Sequence, residues 1–174
     1  MIQLSAWGNF YMIIGSAGAA LIGIQFIVIT LVAELSRRTN ADSIAAFGTP
    51  NVMHFGSALV ISCIMCTPWT QLIPLVITLG ACGVGGVLYS VFVIRRACRQ
   101  TVYEPVTEDW LWYHALPCTL YAALMVAAFF LRRTPTALFM VAGVALGLLL
   151  IGVHNAWDSV TYIVVDKPQK HSQK

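Results

Sequence analysis

The sequence predicts an all-α membrane protein, a bundle of five transmembrane helices. Hydrophobic residues make up 59% of the 174 residues and charged residues only 10%, whereas soluble domains carry about 25% charged residues. The mean hydropathy is +0.79. Apolar stretches of about 20 residues, the length that crosses a bilayer, recur along the chain. We therefore expect one transmembrane domain over residues 1–166 and a basic polar tail over residues 167–174.

Five apolar stretches are expected to cross the membrane, with charged or turn-forming residues between them. By length and hydrophobicity they cover about residues 7–33, 51–66, 75–94, 109–131 and 135–165. The first stretch is too long for a signal peptide and lacks its basic start, so we expect a retained span. In the second, Thr49 suits an N-cap and Pro50 the first helical position.

Basic residues are distributed unequally between the two sides of this bundle. The loops after the first and third spans and the tail share one side, and they hold all Lys and Arg residues except Arg132 and Arg133. The positive-inside rule then places the N-terminus outside and the C-terminus in the cytoplasm. Because topology accounts for the net charge of +3, we expect no nucleic-acid partner.

Polar residues recur near the cytoplasmic ends of four predicted spans. His154 and Asp158 are four residues apart in the last span, so their side chains share one helix face. His54 and His114 lie near the starts of the second and fourth spans, and Glu34 closes the first. Polar groups at membrane depth are costly and usually face a bundle interior or a wet cavity. We therefore expect His154 and Asp158 to be buried and the five residues to form one polar layer.

This polar layer suits three kinds of protein. The leading hypothesis is a small, oligomeric channel or transport protein whose His and Asp side chains bind or relay a cation or proton. A second is an intramembrane protein that binds a divalent metal through His154, Asp158, His114 and His54, or a haem through two of the histidines, and that could act on a lipid-soluble substrate. A third is a non-catalytic accessory subunit. The sequence contains no phosphate-binding loop, zinc-protease motif or nucleophile elbow, so it does not predict an enzyme.

Small residues follow helix-packing spacings on three spans. They are Gly143 and Gly147 in the fifth span, Gly15, Ala19 and Gly23 in the first, and Gly83 and Gly86 in the third. Seven residues beyond Gly147 the chain reaches His154, so the close-packing face of the fifth span is expected to lead into the polar pair. Such faces pack helices within one subunit or form the interface of a homo-oligomer.

Four stretches resemble parts of a family of small multi-span bacterial inner-membrane proteins with no established activity. They read "GSAGAALIGIQFIVITL", "FGTPNVMHFGS", "EDWLWYHALP" and "GVHNAWDSVTY", and they cover about a third of the chain. The resemblance implies a multi-pass protein of the bacterial inner (cytoplasmic) membrane, in contact with its lipid. It implies no catalytic residue.

Overall fold

The computed structural model describes residues 4–35, 41–98, 108 and 110–161, and it confirms the all-α class with five helices. They are α1 (Gly8–Leu35), α2 (Ala41–Cys66), α3 (Leu72–Ala97), α4 (Leu116–Phe130) and α5 (Ala137–Thr161). A short 3₁₀ turn, Leu4–Trp7, precedes α1, and a π-helical segment, Trp110–Ala115, leads directly into α4.

Four helical stretches in the described residues are long and apolar enough to cross a bilayer. They are Leu4–Leu31, Leu72–Arg96, Trp110–Phe130 and Ala137–Thr161. The apolar part of α2 is shorter, Pro50–Cys66. The protein is therefore a multi-pass membrane protein by the length and composition of its helices.

The helices pack in an order that differs from their order in the chain. α1 packs on α2, α2 on α5, α5 on α4, and α4 on α3. In the central helix α5, 56% of the residues in the most apolar stretch are buried. The corresponding share is 22% for α1 and 17% for α3, the helices at the two ends of this packing order. α2 and α3 contact each other only slightly, although the connection between them is short.

The buried core is apolar, and so is much of the outer surface. Leu79, Leu124 and Leu148 are completely buried on α3, α4 and α5, whereas Ile13 and Phe139 are more than half exposed. Lipid is as apolar as these side chains, so close packing holds such helices together more than apolar burial does. The exposed apolar residues indicate contact with the lipid bilayer.

The start of α2 differs from the predicted one. Helical backbone begins at Ala41, so Pro50 lies inside the helix and Thr49 is not its N-cap. Proline cannot donate a backbone hydrogen bond to the carbonyl four residues earlier, here Ala46. Membrane helices tolerate this loss because neighbouring groups satisfy the freed carbonyl. Because the helix begins at Ala41, the residues from Ala41 to Gly48 are helical, whereas the sequence placed them in the loop after the first span.

Candidate functional site

The three histidines that the sequence placed in one polar layer each contact a different described residue. His54 is buried on α2 and contacts Tyr121 of α4. His114 is buried in the π-helical segment, with its ring centroid 4.7 Å from that of Trp110. His154 is half-buried on α5. Each histidine thus has its own surroundings.

The expected buried pair on α5 is not formed. His154 is only half-buried and stacks on Trp112, with centroids 3.8 Å apart and planes at 25°, and Asp158 is exposed. Residues one position further along, Asn155 and Ser159, are buried instead. The spacing of the small residues leads to Asp158, but the buried face of α5 runs through Leu148, Gly152 and Asn155 and leaves Asp158 outside it.

The proposed metal ligands do not come together in the structure. Among the residues whose side chains are described, no three His, Cys, Asp or Glu side chains are placed to hold a metal ion. This covers His54, His114, His154 and Asp158, while the side chain of Glu34 lies outside the described part. The geometry therefore gives no support to a metal site built from this set.

Three side chains, which we call the His54 triad, form a hydrogen-bonded cluster between α2 and α4. The hydroxyl of Tyr121 lies 2.8 Å from Ser57 Oγ and 3.3 Å from His54 Nδ1. Ser57 Oγ also lies 2.8 Å from the Met53 carbonyl oxygen. His54 and Tyr121 are each 2% exposed, whereas Ser57 is half-buried. The triad therefore leads from a partly exposed hydroxyl to a buried imidazole.

The donor and acceptor of each hydrogen bond in the triad can exchange roles. When Ser57 donates to the Met53 carbonyl, Tyr121 donates to Ser57 and a protonated His54 Nδ1 donates to Tyr121. When Ser57 donates to Tyr121, the tyrosine donates to an unprotonated Nδ1. Both orders use the same distances, because a hydroxyl donates and accepts and an imidazole nitrogen does either.

Two glycines of α3 place Tyr121 in the triad. A Cβ at Gly86 would overlap the Tyr121 ring, and a Cβ at Gly83 would lie 2.6 Å from Met125 Cγ. The missing side chains let α4 approach α3 closely, and the tyrosine hydroxyl reaches α2. The predicted small-residue face on α3 is thus a packing face within the subunit.

The remaining small residues divide into packed and exposed positions. Gly15 packs against Ser62 of α2, and Gly147 packs against Leu120 of α4. Ala19 is exposed, and added Cβ atoms at Gly23 and Gly143 would meet no described atom within 4 Å. The spacing of these residues therefore identified some packing positions and some outward-facing ones.

A second polar cluster joins the π-helical segment to α5. The Tyr113 hydroxyl donates to the Asn155 carbonyl at 3.2 Å and lies 3.4 Å from Ser159 Oγ. Asn155 Nδ2 donates to the Trp112 carbonyl at 3.4 Å. Pro117 cannot donate to the carbonyl of Tyr113, and the π-helical turn lies directly before this proline. These bonds hold the start of the fourth span against the end of α5.

Sequence reasoning found His54 but missed the partners that define its surroundings. Asn51, His54 and Ser57 recur every three residues, so they lie close together on α2. That spacing could have identified a polar face. Tyr121 gave no comparable signal, because a lone tyrosine in an apolar span is usually part of the core or the membrane interface.

Comparisons with known proteins yield no match among family models, curated proteins or solved structures. They do not establish the resemblance to a bacterial inner-membrane family. The class of protein therefore rests on the structure, a multi-helix protein with four candidate membrane spans in its described residues.

Proposed function

We propose that this is a small integral membrane protein of transport type that relays protons, with the His54 triad as its buried site. The observation that carries the proposal is the Tyr121 hydroxyl, which lies within hydrogen-bond distance of both His54 and Ser57. Ionisable and polar groups inside a membrane bundle typically mark proton or ion pathways. Histidine is the side chain whose ordinary pKa allows it to bind and release a proton near neutral pH.

The relay follows from the two directions of the hydrogen bonds. A proton arriving at Ser57 Oγ displaces the serine proton to Tyr121, and the tyrosine passes its own proton to His54 Nδ1. His54 then releases the proton from its other ring nitrogen. Reset requires the hydroxyls to turn back and the imidazole to exchange tautomer, losing the proton on Nδ1 and regaining one on its other ring nitrogen.

Proton flux into proteoliposomes tests this function. We expect the purified protein to acidify vesicles when a potassium diffusion potential is imposed, and expect His54→Gln and Tyr121→Phe to reduce the rate to that of protein-free vesicles. His154→Gln is the matched control, since His154 stacks on Trp112 outside the triad, and we expect it to keep the wild-type rate. Wild-type vesicles no faster than empty ones, or an active His54→Gln variant, would contradict the proposal.

We propose that the N-terminus is outside and the C-terminus cytoplasmic, in the inner membrane of a bacterium. The distribution of basic residues supports the orientation, and the resemblance of four stretches to bacterial inner-membrane proteins supports the location. Single-cysteine proteins test the orientation. A membrane-impermeant maleimide applied to intact cells should label Thr136→Cys, in the turn before α5, and should leave the native Cys98 after α3 unlabelled.

We also propose a homo-oligomer formed through the face of α1 that carries Ala19 and Gly23. Both residues are exposed, and small residues at this spacing allow close helix approach between subunits. Gly23→Leu should shift the protein to the monomer in native mass spectrometry. Gly85→Leu on α3, also exposed and without a described neighbour within 4 Å of an added Cβ, is the control. A wild-type monomer in nanodiscs would refute the proposal.

A further inference from the structure

Two buried asparagines outside the His54 triad have amide atoms that no described residue satisfies. Asn51 on α2 and Asn155 on α5 are both 0% exposed. Within the described part of the chain, neither Asn51 Oδ1 nor Asn51 Nδ2 has a hydrogen-bond partner, and Asn155 Oδ1 has none either. A buried amide without a partner costs about 1–3 kcal/mol, so such a group in a folded protein calls for a physical explanation.

The helices that carry these asparagines run in opposite directions. Trp7 and Phe139 are in ring contact, with centroids 4.7 Å apart, which places the starts of α1 and α5 at the same end of the bundle. Cys66 Sγ lies 3.9 Å from the Gly8 carbonyl oxygen, which places the end of α2 at that end too. α2 therefore ends where α5 begins, and the two are antiparallel.

The contact between Phe55 and Gly152 fixes the level of the asparagines. A Cβ at Gly152 would lie 2.5 Å from the Phe55 ring, so these two residues face each other between α2 and α5. Asn51 is one turn before Phe55, and Asn155 is about one turn after Gly152. In antiparallel helices these steps lead in the same direction by nearly equal distances. The two amides consequently lie at the same level, on the faces that α2 and α5 turn towards each other.

We propose that Asn51 and Asn155 bind one internal water molecule between α2 and α5. Each amide offers an acceptor, and that of Asn51 also offers donors, which matches a water molecule that both donates and accepts. Buried waters typically make about three hydrogen bonds to polar groups that lack other partners. The amides carry no net charge, which favours a neutral occupant over an ion. Phe55 packed on Gly152 closes the site towards the middle of the bundle.

An experimental density map of the full chain in nanodiscs, at a resolution that shows ordered water, tests the site directly. We expect a peak within hydrogen-bond distance of both the Asn51 and the Asn155 side chains. Direct hydrogen bonding between the two amides, or the lack of a peak beside well-ordered asparagines, would overturn the proposal.

Thermal unfolding of leucine variants provides a second test that needs no density. Asn51→Leu keeps the branched shape of the side chain but replaces the amide with methyl groups, so it should lower Tm by several degrees if that amide binds water. Asn155→Leu also removes the bond to the Trp112 carbonyl, so it should lower Tm on its own, but by less in the Asn51→Leu background, where the water has already lost one of its partners. Ser62→Ala is the control on the same helix, since its hydroxyl is satisfied by the Ala58 carbonyl. A higher Tm for Asn51→Leu would mean that the wild-type amide has no partner, and would refute the site.

Discussion

At the scale of single residues, two glycines of α5 show how one missing side chain decides where a helix packs. Gly152 is buried and receives the ring of Phe55, whereas an added Cβ at Gly143 would meet none of the described atoms within 4 Å. Both interrupt the same apolar helix, yet only Gly152 lies in a helix contact. The local sequence does not distinguish them, because the partner of Gly152 is a distant residue on α2.

Gly152→Ala should therefore destabilise the protein and Gly143→Ala should not. The added methyl group at residue 152 would overlap Phe55 and force α2 and α5 apart, at a cost of about 1–3 kcal/mol. At residue 143 the same change should stabilise α5 by about 0.5–1 kcal/mol, since glycine is a poor helix former. Chemical unfolding in mild detergent, followed by tryptophan fluorescence, measures both. Equal effects of the two variants would show that Phe55 does not pack on Gly152.

The polar residues show the limit of sequence reasoning at this scale. Histidines and carboxylates stand out equally in an apolar chain, so the sequence indicates the buried His54 and the exposed Asp158 alike. Which polar residue is buried depends on the rotation of each helix, and the neighbouring helices set that rotation. Asn155 is next to His154 in the chain but lies on the buried face, and only the packing of α5 distinguishes the two positions.

At the scale of helices, the pairing of α3 with α4 depends on two adjacent glycines that have different roles. A Cβ at Gly86 would overlap Tyr121, whereas a Cβ at Gly85 would have no described neighbour within 4 Å. Gly86→Ala should displace Tyr121 from the His54 triad, lower stability by about 1–3 kcal/mol and slow proton flux. Gly85→Ala should leave the flux unchanged and raise stability by about 0.5–1 kcal/mol, as at residue 143. The same unfolding and vesicle assays apply, and normal flux in Gly86→Ala would contradict this role for the glycine.

The π-helical segment is the other element with a testable cause. Pro117→Ala supplies a backbone N–H that can donate to the Tyr113 carbonyl, so we expect the segment to tighten towards an α-helix. This would turn Trp112 away from His154. Their ring contact should be worth about 0.5–1.5 kcal/mol in a double-mutant cycle of wild-type protein. With Pro117→Ala as background the coupling should vanish, and an undiminished coupling would show that the proline does not set the geometry.

At the scale of the whole molecule, the sequence predicted the number of helices but not their order. Length and apolar composition are sufficient to predict membrane-crossing helices. The order α1–α2–α5–α4–α3 depends on which helix faces fit together. In soluble proteins, the contrast between an apolar and a polar face shows which way a helix is oriented. In lipid both the packed and the outward faces are apolar, so this contrast is weak here.

The central position of α5 makes its buried side chains important for the whole bundle. Leu148 is completely buried, whereas Leu146 on the same helix is 39% exposed. Leu148→Ala should lower the free energy of unfolding by about 2–5 kcal/mol, because it leaves a cavity between helices. Leu146→Ala should change it by about 0.5 kcal/mol at most, as expected at a site away from the packed core. Unfolding in detergent compares them, and similar losses would mean that α5 is not central.

The slight contact between α2 and α3 has a mechanical consequence. α3 is attached to the bundle mainly through α4, so a change in the packing of α4 on α5 would carry α3 with it and disturb little of the packing on α2. The described side-chain hydrogen bonds between α4 and α2 are those of Tyr121 with His54 and Ser57, and such a change would break them. In the proposed relay, Tyr121 would then have a second role besides passing the proton. Loss of its hydrogen bonds would open the buried imidazole to water from one side, and their return would close that path.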